Sequence, residues 1–145
     1  MKPPRISPAV LRIVDANINR ACEGLRVCED LVRFAFGPAS QAHQLRRLRH
    51  QVMERAGRLP VTSLELVCAR DSRRDPGRQA SATAVSSLER LLLINLQRAK
   101  EALRVLEESS RLLAPDQTPG FQRLRFALYD VERHLLLRVA ALRHR

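Results

Sequence analysis

The chain is short of several things, and each shortage closes off a class of function. Five aromatic residues, Phe34, Phe36, Phe121, Phe126 and Tyr129, are spread through 145 positions, too few for a platform on which nucleic-acid bases stack. Three cysteines, Cys22, Cys28 and Cys68, are an odd number without chelating spacing. Neither a disulfide framework nor a zinc site is expected from them, and they read as small packing residues of a reducing compartment. His43, His50, His134 and His144 form no ligand set. No apolar run approaches the roughly 18 residues of a membrane span, and the opening MKPPRISP carries no apolar signal segment. The expectation is a cytoplasmic protein with no membrane partner. A G-x-x-x-x-G-K loop followed by Ser or Thr is absent, so a nucleotide would not sit in the common phosphate cradle. No stretch alternates as a strand does.

What remains is helical, apolar and basic. Apolar residues make up 45% of the chain, enough to fill the core of a single domain over residues 1–145. The net charge is +11, and 24 of the 26 basic residues are arginine. A GC-rich codon usage accounts for most of that ratio, but the excess charge itself calls for an anionic partner, phosphate or nucleic acid.

Helix signals recur along the chain. Ser7-Pro8 is an N-cap with proline at the first helical position. Val14, Ala21, Gly24, Val27, Cys28 and Leu31 then follow a helical period, and Gly37-Pro38 stops it. Leu45, Leu48, Val52, Ala56 and Leu59 form a second stripe, closed by Gly57 to Pro60. Ser86 and Glu89 have capping-box spacing ahead of a long helix that ends near Ala114-Pro115. Thr118-Pro119 opens a fourth, with Leu124, Leu128, Val131 and Leu135 facing inward. TSLELVCA, residues 62–69, fits a short strand or one helical turn.

The two halves repeat. Residues 12–33 align with 90–111 at a constant offset of 78, with ten identities in 22 positions. Leu48-Arg49 and Leu124-Arg125 follow the two copies. The pattern predicts an all-α fold: a four-helix bundle made of a duplicated helical hairpin, 7–60 and 86–143, with a long polar connection over 61–85. Leu91, Leu92, Leu136 and Leu137 fall outside the inferred stripes and suggest a homodimer.

At about 100° per residue, Asn17, Arg20, Gly24, Val27 and Leu31 share one face. Glu23, Arg26, Asp30 and Arg33 share another, spaced for surface ion pairs. An arginine on a core-facing stripe needs a carboxylate, an interface or a cavity that receives an anion. Arg49 sits at the edge of the second stripe and is expected to join that cluster, and Asn95, Arg98 and Arg125 repeat the set. The halves differ at Asp15, Asn19 and Gly24, which become Leu93, Gln97 and Ala102. Gly24 costs about 1 kcal/mol of helix stability relative to alanine, which implies close approach by another helix or a ligand.

DANINRACEGLRVCEDLVRF, the loop ARDSRRDPG, NLQRAKEALRVLEE and LRFALY together resemble the small alternative hydroxymethylpyrimidine-phosphate kinases, over roughly residues 10–133. In that family the domain occurs alone or fused in front of thiamine-phosphate synthase, and this chain would be a stand-alone form. The family loop tends to read Asp-Val-Gly-Thr where this chain has Asp75-Pro76-Gly77-Arg78. The resemblance implies phosphorylation of hydroxymethylpyrimidine phosphate by ATP with Mg²⁺, in preference to the free alcohol, and a functional link to thiamine-phosphate synthase. It directs the candidate roles. Arg20, Asp71 and Arg98 are expected to act in catalysis. Asn17, Asn19, Glu23, Arg49, Arg70, Asn95 and Arg125 are expected to bind substrate or ATP phosphates. Asp71, Asp75 and Asp15 are candidates for Mg²⁺. The alternatives are a basic helical nucleic-acid-binding module, which arginines on the core stripe disfavour, and another helical enzyme of phosphorylated or carboxylated metabolites.

Overall fold

The computed structural model describes residues 5–144; Met1–Pro4, which include Lys2 and half of MKPPRISP, and Arg145 lie outside the described residues. Among the described residues there are five α-helices and no strand: α1 Pro8–Leu31, α2 Ala39–Ala56, α3 Ser63–Ala69, α4 Leu88–Leu113 and α5 Thr118–Arg143. None is long and apolar enough to cross a membrane.

The caps show why these segments start where they do. Ser7 accepts a hydrogen bond from the Val10 amide at 3.2 Å, and Pro8 occupies the first turn, where its missing N–H costs nothing. Ser87 caps α4 by accepting from the Arg90 amide at 3.1 Å, one residue later than the Ser86–Glu89 spacing predicts. The capping box lies instead on α3, where Thr62 and Glu65 exchange bonds of 2.9 and 3.1 Å. That box decides the ambiguous TSLELVCA segment in favour of a helix, so the connection between the long helices is not all loop. α1 ends in a π-helical turn over Val32–Phe36, and Gly37, at φ 55°, supplies the left-handed turn into α2.

The four long helices pack in a ring. α1 lies against α2 and α4, and α5 lies against α4 and α2, with α1–α4 the most extensive of these meetings. Val14, Ala21, Leu25 and Cys28 of α1 meet Leu92, Leu96, Ala99 and Leu103 of α4 in the core, all at most 1% exposed. Leu45 and Val52 of α2 and Phe121, Leu128 and Leu135 of α5 complete it. Burying each valine, leucine or phenylalanine among them fully contributes about 1.5–3 kcal/mol. Leu92 is therefore core, not a surplus apolar residue awaiting a second copy; Leu91 and Leu136 are half-buried, and Leu137 is exposed.

At Gly24 α1 and α4 pack closely. A Cβ at Gly24 would stand 3.1 Å from the Asn95 carbonyl oxygen and 3.5 Å from the Ala99 methyl. The close approach read from the sequence is made by a helix.

Candidate functional site

The close α1–α4 contact leaves a groove beside it of about 520 Å³. Its lining comes from five pairs of residues related by the internal repeat: Asn17 and Asn95, Arg20 and Arg98, Glu23 and Glu101, Gly24 and Ala102, Val27 and Val105. Gly24 and Ala102 are small enough to let the helices meet. The long side chains one turn earlier cannot fit between the backbones and are turned out along the groove. Arg20 and Arg98 are accordingly exposed, at the edge of the apolar stripe and not within it. Exposure keeps their charges hydrated, and the shared groove still brings both to one place.

Asn17 and Asn95 are the buried polar members, 4% and 7% exposed. Each turns its Nδ2 back along its own helix, to the Ile13 carbonyl at 2.8 Å and the Leu91 carbonyl at 2.9 Å. Glu101 was not among the sequence-derived candidates. Its repeat relation to Glu23 was the available signal.

Arg49 and Arg125 do not join Arg20 and Arg98. Glutamates hold them outside the groove. Arg125 donates to Glu107 through Nε at 2.7 Å and Nη2 at 3.2 Å, and through Nη1 to the Tyr129 hydroxyl at 3.2 Å. These bonds, the one to Glu107 first, push its pKa further up and keep it charged. Arg49 makes the equivalent pair with Glu29, a repeat partner of Glu107, but through Nη2 alone at 3.1 Å; its Nε is buried with no partner. Every nitrogen of the second hairpin's arginine thus has a partner, while the first keeps a buried nitrogen without one. Each pair avoids the cost of an unpaired buried charge.

The other candidates gather on the far flank of α1, about half a turn from the groove. Asp15 is buried and takes Arg70 bidentately, with both bonds at 2.8 Å, and Asn19 approaches Asp15 at 3.5 Å. The bond to Asp15 raises the Arg70 pKa and ties the end of α3 to α1. Asp71 follows directly, exposed, with its carboxylate 4.0 Å from Arg74. Asp75 uses Oδ1 to accept from the Gly77 amide at 2.8 Å, a local turn bond.

Among the described residues, no three acidic, histidine or cysteine side chains converge to hold a metal ion. Mg²⁺ asks for less, commonly one or two carboxylates with phosphate oxygens completing its shell. Asp71 fits that demand with an exposed carboxylate, whereas Arg70 occupies both oxygens of Asp15.

Fold and site define an all-helical basic protein whose polar groove is lined by matching residues from its two halves. Within that class the chain belongs to the ThiD2 family, whose model matches residues 12–134. It is similar to proteins named thiamine-phosphate synthase: 36% identical over 135 residues to that of Nostoc punctiforme, covering 91% of this chain and 37% of the relative. With the Gloeobacter violaceus protein it shares 38% over 126 residues, 85% of this chain and 35% of the relative. With that of Rhodopirellula baltica it shares 33% over 145 residues, 96% and 37%. The chain thus spans a little over a third of the curated relatives it matches. No solved structure matches it.

Proposed function

We propose that the protein transfers the γ-phosphoryl group of ATP to hydroxymethylpyrimidine phosphate, giving the diphosphate for thiamine synthesis. The observation that carries this reading is the placing of Arg20 and Arg98, from matching positions of α1 and α4, in one groove. Two guanidiniums there suit two phosphate-bearing ligands, each gripped by a bidentate fork. Membership of the family and similarity to proteins named for thiamine-phosphate synthesis support the pathway. On this reading the ring of four long helices is a bundle of duplicated hairpins, and the duplication supplied one anion site per half.

The reaction asks little covalent chemistry of the protein. A phosphate monoester has its second pKa near 6, so at neutral pH the acceptor is already a dianion and needs no general base. One of its oxygens attacks the γ-phosphorus in line; the bond from that phosphorus to the β–γ bridging oxygen breaks; ADP leaves with the electron pair. Arg20 and Arg98 hold the two repelling phosphates in reach and offset their charge. Mg²⁺, when bound, would neutralise phosphate oxygens, held by Glu23 and Glu101 in the groove or by the exposed Asp71 outside it.

The test is ADP release with the phosphorylated pyrimidine or with its free alcohol as acceptor. The phosphate should turn over far faster, because the alcohol lacks the group the arginines grip and needs a base to lose its proton. Equal turnover would overturn the reading.

A further inference from the structure

Asn17 and Asn95 were read from the sequence as phosphate contacts, and the geometry points elsewhere. A carbonyl oxygen only accepts, so the end of each amide facing Ile13 O or Leu91 O must be its NH2. That bond uses one of the two N–H groups. Among the described residues, neither side chain makes a further hydrogen bond. What each has left is Oδ1, an acceptor, beside the second N–H, a donor. Both side chains are more than nine-tenths buried, and both line the groove.

Oδ1 repels phosphate oxygens, so the pair makes a poor anion receptor. An acceptor beside a donor instead matches an exocyclic amine beside a ring nitrogen. Asparagine pairs bidentately with adenine in this way, taking the amine and donating to the neighbouring ring nitrogen. Neither Oδ1 is a buried atom lacking a partner, so the free edge of each amide opens on the groove it lines.

We propose that Asn17 and Asn95 each read the edge of an amino-substituted nitrogen heterocycle, while Arg20 and Arg98 take the phosphates. This rests on the reaction proposed above, whose two substrates share that edge: the 4-aminopyrimidine of the acceptor and the 6-aminopurine of the donor. The repeat supplies one amide and one guanidinium per ligand. The groove therefore recognises the same chemical pattern twice.

Equilibrium binding to the wild-type protein tests this. The probes are hydroxymethylpyrimidine phosphate against its 4-oxo analogue, and ADP against inosine diphosphate. In each oxo analogue the amine becomes an acceptor, which the asparagine Oδ1 cannot pair with, and the ring nitrogen between C4 and C2 of the pyrimidine, or N1 of the purine, becomes a donor. Both oxo ligands should bind about tenfold more weakly or worse. Arg20→Ala should weaken binding while leaving a clear preference for the amine. The side-chain amide resonances of Asn17 and Asn95 should move with the amine ligands and stay put with inorganic phosphate, a readout that needs no variant. If the oxo ligands bind as well as the amines, the amide assignment falls and the kinase reading stands. Discrimination for one ring alone would overturn the two-ring assignment. If neither amine ligand binds, both proposals fall together.

Discussion

Arg125 closes on Glu107 with two bonds, Nε 2.7 Å from Oε2 and Nη2 3.2 Å from Oε1, with the two side chains only 9% and 8% exposed. Such a pair fixes how α5 sits on α4. Removing one partner strands a charge in the core, so Glu107→Ala should cost about 3–5 kcal/mol. Replacing both together, Glu107→Leu with Arg125→Met, should recover most of that loss, because desolvating the pair had consumed much of its attraction. Urea unfolding of the variants checks this. A double variant no more stable than Glu107→Ala would contradict it.

Gly24→Ala sets two effects against each other. Alanine is worth about 1 kcal/mol to an isolated helix. Its methyl, however, would stand 3.1 Å from the Asn95 carbonyl oxygen, a backbone atom in the middle of a packed helix. Overpacking of this kind costs about 1–3 kcal/mol, so the expected net effect is a loss of stability. A raised melting temperature would show that α4 yields more easily than its packing indicates.

The three cysteines should differ sharply in reactivity. Cys68 is exposed, Cys22 is half-buried and Cys28 is fully buried. Burial raises the Cys22 thiol and pushes Cys28 up to about 12. Alkylation near pH 8 should label Cys68 first, then Cys22, and Cys28 only on unfolding. Above the ordinary thiol range, the unfolded chain gives up the Cys28 proton while the folded chain keeps it. Stability should therefore fall as pH rises from that range towards 12. Cys28→Ala should flatten that fall. Rapid native-state labelling of Cys28 would contradict the order.

Activity should respond most to Arg20, Arg98 and Asp71. Arg20→Lys or Arg98→Lys keeps the charge and loses the fork, and kcat/KM should drop about 10- to 100-fold. Asp71→Asn should lower kcat comparably while leaving helicity and melting unchanged, since the side chain is exposed and far from the core. Full activity in Asp71→Asn would remove the metal role assigned to it.

Much of the helical content was legible because helical periodicity and capping are local. Ser7-Pro8, the Leu45 to Leu59 stripe and the inward set Leu124, Leu128, Val131 and Leu135 all stand where the pattern put them. The capping box on α3 was equally local and went unread, because seven residues are too few for a period to show. The site was harder. Face arithmetic put Arg20 and Arg98 on the apolar stripe, but it cannot say how far a long side chain reaches once two helices close at Gly24. Nor could it show that Glu29 and Glu107 would draw Arg49 and Arg125 away. Those outcomes depend on distances between helices, which one-dimensional spacing does not carry.

The matching lining of the groove has a kinetic consequence. A socket with two like halves offers an unsymmetrical guest two seats, and in the proposed reaction each substrate can occupy the other's. Within the lining the one unmatched pair is Gly24 and Ala102, a difference of a single methyl group. A tenfold bias needs about 1.4 kcal/mol, more than the roughly 0.8 kcal/mol of one methyl group, so the lining favours one seat without emptying the other. Acceptor in excess should then crowd ATP from its place, and at fixed ATP the velocity should rise and afterwards decline as the pyrimidine phosphate is increased.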